Sequence, residues 1–188
     1  VKYLSESELQ SMLNESAKSN KKTMARNQAA IVLMGCCGLR GCEVINIRRK
    51  DVDCIAHTVS INGKGDLKRK TGMTASQFKY IQALLDVIPN DQDSFLFVNT
   101  SNKKGSSPQL TVRGLRLMID TIMGKLKIKK NGRSSHSLRH GCAMALYRHG
   151  VPIEKISAQL GHERINTTMI YVRVMDTIEN PVSSVLDC

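Results

Sequence analysis

One short β-ribbon interrupts an otherwise helical pattern, and that narrows the folds open to this chain. Residues 58–62 (TVSIN) and roughly 67–73 read as two strands flanking the turn Gly63-Lys64-Gly65-Asp66. Helical signals lie on both sides. Ser5-x-x-Glu8 is a capping box that opens a helix through about Ser16, its hydroxyl and carboxylate each answering a backbone N–H left open at a helix start. Residues 24–37 (MARNQAAIVLMGCC) form a strongly apolar helix halted by Gly38, and a short helix follows over about 41–47. Residues 74–87 carry Phe78, Ile81, Leu84 and Leu85 on one helical face. Residues 94–98 (SFLFV) make a short apolar strand or extended segment, 99–108 a polar loop and 110–126 a long helix. Three more helices are expected at about 136–149, 152–160 and 166–174. Ser134 or Ser135 caps the first, Pro152 sits in the first turn of the second, and Gly161 ends it. The whole is an α+β fold, mainly α, with a helical core and a small antiparallel β-ribbon. No alternating βα pattern, no G-x-x-x-x-G-K-[ST] and no G-x-G-x-x-G is present, which speaks against a nucleoside triphosphate or dinucleotide as cofactor.

Charge indicates the partner. Among 188 residues, 28 Lys and Arg oppose 16 Asp and Glu, a net charge of +12. Such an excess on a folded domain points to a polyanion, nucleic acid first and an anionic membrane second. No basic amphipathic anchor and no apolar run of spanning length supports the membrane. The cysteines Cys36, Cys37, Cys42, Cys54, Cys142 and Cys188 form no C-x-x-C and no zinc-ligand spacing with histidine, so no metal is expected. Cys36, Cys37 and Cys142 lie among apolar residues, where a thiol packs as a small hydrophobe. A reducing, cytoplasmic setting follows. No signal peptide is visible, and a start at Val1 without methionine suggests a fragment or a processed chain.

The chemistry concentrates between residues 136 and 171. His136, Arg139 and His140 are spaced by three and four residues and so share a helix face. His162 lies just past a helix end, and Tyr171 follows. Arg40 stands far upstream in G-L-R-G-C-E. Cationic donors with a phenol suit the binding and attack of a phosphodiester. Singly, each has a plainer explanation as a polar stripe, a helix cap or a core tyrosine. Together, G-L-R-x-x-E, Lys64 in the β-turn, H-x-L-R-H, L-G-H and T-T-x-x-Y stand in order. With these motifs the chain resembles the catalytic domain of the tyrosine recombinases, also called phage integrases, over almost its whole length.

The resemblance implies a site of Arg40, Lys64, His136, Arg139, His162 and Tyr171, with Glu43 and His140 orienting the arginines. Arg40 and Arg139 would clamp two phosphate oxygens, since guanidinium is a planar fork of donors, with His162 as a further donor. Tyr171 would attack. A free phenol has a pKa of about 10, so it needs nearby cations and a proton acceptor, by analogy His136. Lys64 would protonate the leaving 5′ oxygen. Because residues 67–73 lack the Val-Pro ending common in the family, a shifted hairpin could bring Lys68 forward instead. Lys68, Arg69, Lys70, Lys103, Lys104, Lys129, Lys130 and Arg133 are expected to contact DNA phosphates, which gives affinity rather than sequence choice. The implied activity is site-specific recombination through a 3′-phosphotyrosine, without metal, ATP or other cofactor. Its partners would be double-stranded DNA recombination sites, with a tetramer on paired sites and a monomer free in solution, in a prokaryotic cytoplasm and at the nucleoid when acting. Residues 1–174 would be the catalytic domain and 175–188 a tail exchanged with a neighbouring protomer. The family's N-terminal DNA-clamping domain would lie outside this chain. Relaxation of DNA in the manner of type IB topoisomerases, which share this residue set, is the alternative, followed by a DNA-binding module without catalysis.

Overall fold

A helix whose second half is apolar on every side builds the centre of the molecule. The computed structural model describes residues 3–62, 68–99, 108–129 and 132–161. Within them, Ala25, Ala29, Ala30, Ile31, Val32, Leu33 and Met34 are all buried. From Ala29 on, their helix, α2 (Lys21–Gly35), is therefore enclosed by its neighbours, as a stretch apolar all round must be. Against it pack α1 (Glu6–Ser16), α4 (Ala75–Leu85) and α6 (His136–Arg148). The short α3 (Gly41–Ile45) leaves the end of α2, α5 (Val112–Lys125) lies across α3 and α1, and α7 (Ile153–Leu160) rests on α6. On α4 the expected face of Phe78, Ile81, Leu84 and Leu85 is the buried one. The expected helix over 166–174 lies outside the described residues.

The ribbon is a three-stranded antiparallel sheet in the order β1 (Val52–Asp53), β2 (Thr58–Asn62), β3 (Lys68–Gly72). β2 and β3 pair from Thr58↔Gly72 to Asn62↔Lys68. Period-two alternation turns Val59, Ile61 and Thr71 inward. The two-residue β1 is an addition to the sequence reading, because a strand that short has no period of its own. The segment at 94–98 belongs to no strand but is tied by isolated bridges, Arg48↔Phe95 and Val98↔Gln109.

Caps set the helix ends. Ser5 Oγ accepts the Glu8 N–H at 3.2 Å while Glu8 Oε2 accepts the Ser5 N–H at 2.9 Å, the reciprocal box read from sequence. Asn20 Oδ1 accepts the Thr23 N–H at 3.0 Å and so starts α2 three residues earlier than its apolar pattern implies. At the head of α6 the expected serine cap is not made: Ser135 has helical angles and makes no cap bond. Instead the Ser134 N–H donates to Ser137 Oγ at 3.1 Å.

The segment ahead of α1 crosses α6. The Leu4 N–H donates to the Ser137 carbonyl at 3.3 Å, and the Leu4 carbonyl oxygen lies 2.5 Å from where a Cβ on Gly141 would stand. Only glycine admits a backbone that close. Arg148 Nη2 donates to the Tyr3 hydroxyl at 2.8 Å and its guanidinium lies 5.3 Å from the Tyr3 ring centre. Among the described residues, no helix is long and apolar enough to cross a membrane.

Candidate active site

Two helix ends meet at the residues singled out by the sequence. The chain turns after α2 because Gly38 adopts φ +70°, where a side chain would be strained and would also strike Leu160. The turn presents the Gly38 carbonyl to Arg139, whose Nη1 donates to it at 2.6 Å. α7 likewise closes in a left-handed turn at Gly161, and the Gly161 carbonyl accepts from Arg40 Nη2 at 3.1 Å. Each arginine is thus aimed by the end of a helix far away in sequence.

Glu43 ties these arginines to the sheet. It lies one turn into α3, so its carboxylate reaches back: Oε2 accepts the Arg40 backbone N–H at 2.7 Å and Oε1 accepts from Arg40 Nη1 at 3.1 Å. From β3, Arg69 adds a parallel pair, Nη1 to Oε1 at 2.8 Å and Nη2 to Oε2 at 2.9 Å, the bidentate geometry that suits guanidinium and carboxylate. The Glu43 side chain is only 5% exposed. Burial opposes its charge, yet the Arg69 bonds, the Arg40 N–H and the charges of both arginines outweigh that and hold its carboxyl below the ordinary value.

Arg139 is the unusual member, being 7% exposed. Burial first, then repulsion from Arg40, pulls its guanidinium well below the usual arginine range, to about 10; Arg69 adds to this and Glu43 opposes it. Its Nη2 is buried with no hydrogen-bond partner among the described residues. Among the described residues three guanidiniums therefore share one carboxylate, leaving two positive charges uncompensated and two buried donors open, Arg139 Nη2 and Arg69 Nε. Orphaned buried donors are rare and costly, and an acceptor with free oxygens would relieve the one on Arg139.

The histidines of α6 differ in depth. His136, at its first residue, is exposed, and His140, one turn on, is half-buried. Burial, then the charges of His136 and Arg139, pulls the His140 imidazole from 6.5 down to about 4. A base with a lowered folded value binds its proton more readily when unfolded, so stability is lost as pH falls from about 6.5 towards 4. Thermal melting across that range will show a steeper decline for the wild type than for His140→Gln. Coincident curves would remove His140 from the acid response.

The remaining expected residues scatter. Lys68 and Lys70 are exposed on β3. Lys129 pairs with Asp120 at 3.1 Å and Arg133 with Glu8 at 2.6 Å. Lys64, Lys103, Lys104, Lys130, His162 and Tyr171 lie outside the described residues. Arg69, expected to meet phosphate with Lys68 and Lys70, instead faces Glu43. The signal that separates it was present: strand alternation puts residue 69 on the opposite face from 68 and 70, and on the same face as buried Thr71. The roles of the Gly38 and Gly161 carbonyls had no local signal.

Comparison with known proteins bears on the whole chain. The phage integrase family matches residues 2–177. Tyrosine recombinase XerD of Oceanobacillus iheyensis is 30% identical over 177 residues, 91% of this chain and 57% of that protein. The structure of XerA recombinase superposes with a TM-score of 0.75 at 29% identity, covering 95% of this chain and 65% of that one. XerH site-specific recombinase bound to palindromic difH substrate, in a post-cleavage complex, superposes with a TM-score of 0.73 at 27% identity, over 91% and 49% of the two chains. The chain spans about half the length of the curated relatives it matches. With nearly every residue matched and helices and ribbon superposed, the chain belongs to the phage integrase family.

Proposed function

We propose that this chain is the catalytic part of a site-specific DNA recombinase that breaks and rejoins strands through a 3′-phosphotyrosine. The observation that carries the reading is the excess of positive charge gathered at half-buried Arg40 and Arg69 and buried Arg139, with the open Nη2 of Arg139. A phosphodiester brings one negative charge and two free oxygens, and its pentavalent transition state concentrates more charge on them. Donors fixed in advance at those oxygens commonly supply the largest share of catalysis. Family membership and the DNA-bound state of XerH support the same substrate class.

In this scheme Arg40 and Arg139 hold the scissile phosphate, and His162, next in sequence after Gly161, donates to it as well. Tyr171 attacks phosphorus as His136 accepts the phenolic proton, and Lys64 protonates the departing 5′ oxygen. The bond from tyrosine to the 3′ phosphate conserves the energy of the broken backbone. A 5′-hydroxyl from a second strand then attacks it and expels the tyrosine, so neither ATP nor a metal is called for. Exchange between two duplexes places four protomers on paired sites, with residues 175–188 packing on a neighbour, and the reaction runs on cytoplasmic, nucleoid DNA.

The test is a nicked suicide duplex that carries the protein's recombination site, incubated with the full-length protein. A denaturant-stable adduct forms, and peptide mapping places the nucleotide on Tyr171. No adduct, or an adduct on another residue, rejects the proposal. Relaxation of supercoiled plasmid lacking such sites would instead favour a topoisomerase.

A further inference from the structure

Arg69 lies within the cationic group but is not offered to a ligand. Both its Nη atoms are held by Glu43, and its side chain is 19% exposed. Its guanidinium lies flat against the end of α7: a Cβ on Gly161 would stand 2.8, 2.9 and 3.1 Å from Nη1, Cζ and Nε. Two residues along the strand, Thr71 Oγ1 accepts from Gln159 Nε2 at 2.8 Å, and the same Nε2 reaches the Cys37 carbonyl at 3.4 Å. β3 is thus joined to the last turn of α7 at two points, one of them Arg69.

We infer that Arg69 is a positioning residue for phosphodiester cleavage, which keeps the charge of Arg40 available to the phosphate by occupying Glu43. The inference rests on the function proposed above. Glu43 Oε1 is shared by Arg40 Nη1 and Arg69 Nη1, and Oε2 by the Arg40 N–H and Arg69 Nη2. With Arg69 in place, the carboxylate is fixed by four donors and divided between two cations. Without it, the whole carboxylate charge falls to Arg40, draws that guanidinium from the Gly161 carbonyl and neutralises half of the clamp. Lysine does not substitute, because one ammonium cannot span both oxygens as the planar fork does. The Nε of Arg69 is itself buried with no partner among the described residues.

The experiment measures single-turnover adduct formation and DNA affinity in the full-length protein with its own site on a suicide duplex. Arg69→Lys slows adduct formation on the order of 10–100-fold, the scale of a misplaced catalytic group. Its Kd for DNA stays within about twofold, and the slope of log Kd against log salt is unchanged. Arg69→Gln is slower still, and adding Glu43→Gln to it recovers part of the rate, because the idle carboxylate no longer captures Arg40. A merely structural ion pair predicts the reverse, a further fall with the second substitution, and that result overturns the inference. So does Arg69→Lys cleaving within twofold of wild type. A salt slope that drops by about one for Arg69→Gln and is restored by lysine overturns it too, by making Arg69 a phosphate contact. If wild type itself forms no adduct, the proposed function falls and the inference with it, a failure recognised by its independence from residue 69. Melting curves for each variant set a common temperature at which all are folded.

Discussion

Arg139→Met slows covalent capture of DNA by about 10³-fold and leaves the protein no less stable than wild type. The two halves of this result have one cause. Arg139 is a cation held 7% exposed beside two others. Its fall from the usual arginine range to about 10 corresponds to roughly 3 kcal/mol of strain on the charged form. Methionine removes that burden, fills similar volume and forfeits the bond to the Gly38 carbonyl, a loss of about 1–3 kcal/mol. The balance is near zero, whereas at the phosphate the loss is a fixed, charged donor with nothing to replace it. Melting and single-turnover cleavage measured on one preparation check the pair. A variant that cleaves within tenfold of wild type, or melts several degrees lower, contradicts the account.

Glu43→Ala acts in the opposite sense and lowers stability by about 3–5 kcal/mol, the usual cost of stripping one partner from a buried ion pair. Arg40, Arg69 and Arg139 are left facing one another with no carboxylate among them. For a domain of this size each kcal/mol moves the melting midpoint by about 2–4 °C, so the expected drop is roughly 6–20 °C. Sulfate should restore more of it in the variant than in wild type, because a dianion can occupy the vacated charge. A drop below about 3 °C, or the same sulfate response in both proteins, would falsify the view that one carboxylate holds the group together.

What the sequence disclosed was local. Ser5 with Glu8, the strand at 58–62 and the face of Phe78, Ile81, Leu84 and Leu85 were legible because cap, period and turn lie within a few residues of one another. The apolar period alone implies a later start for α2, since its first turn, Lys21 and Lys22, is basic and exposed. At the site, Arg40 with Glu43 was legible as a pair one turn apart. Arg69 was not, because its partner lies on another element, and three adjacent cations look alike until strand alternation separates them. Nor could any pattern show that Gly38 and Gly161, read only as helix stops, offer their carbonyls to arginines from distant parts of the chain.

The crossing of Leu4 over Gly141 gives the leading end of the chain a mechanical part. The backbone there touches α6 directly, bonded at Ser137 and fitted into the gap where a side chain would be. Arg139 lies between those two contacts on the same helix. Moving the backbone at Leu4 would therefore mean breaking a bond and opening a close contact on either side of that guanidinium. The segment is a brace rather than a leash: the path of the polypeptide into α1 flanks the seat of Arg139, the most buried cation among the described residues.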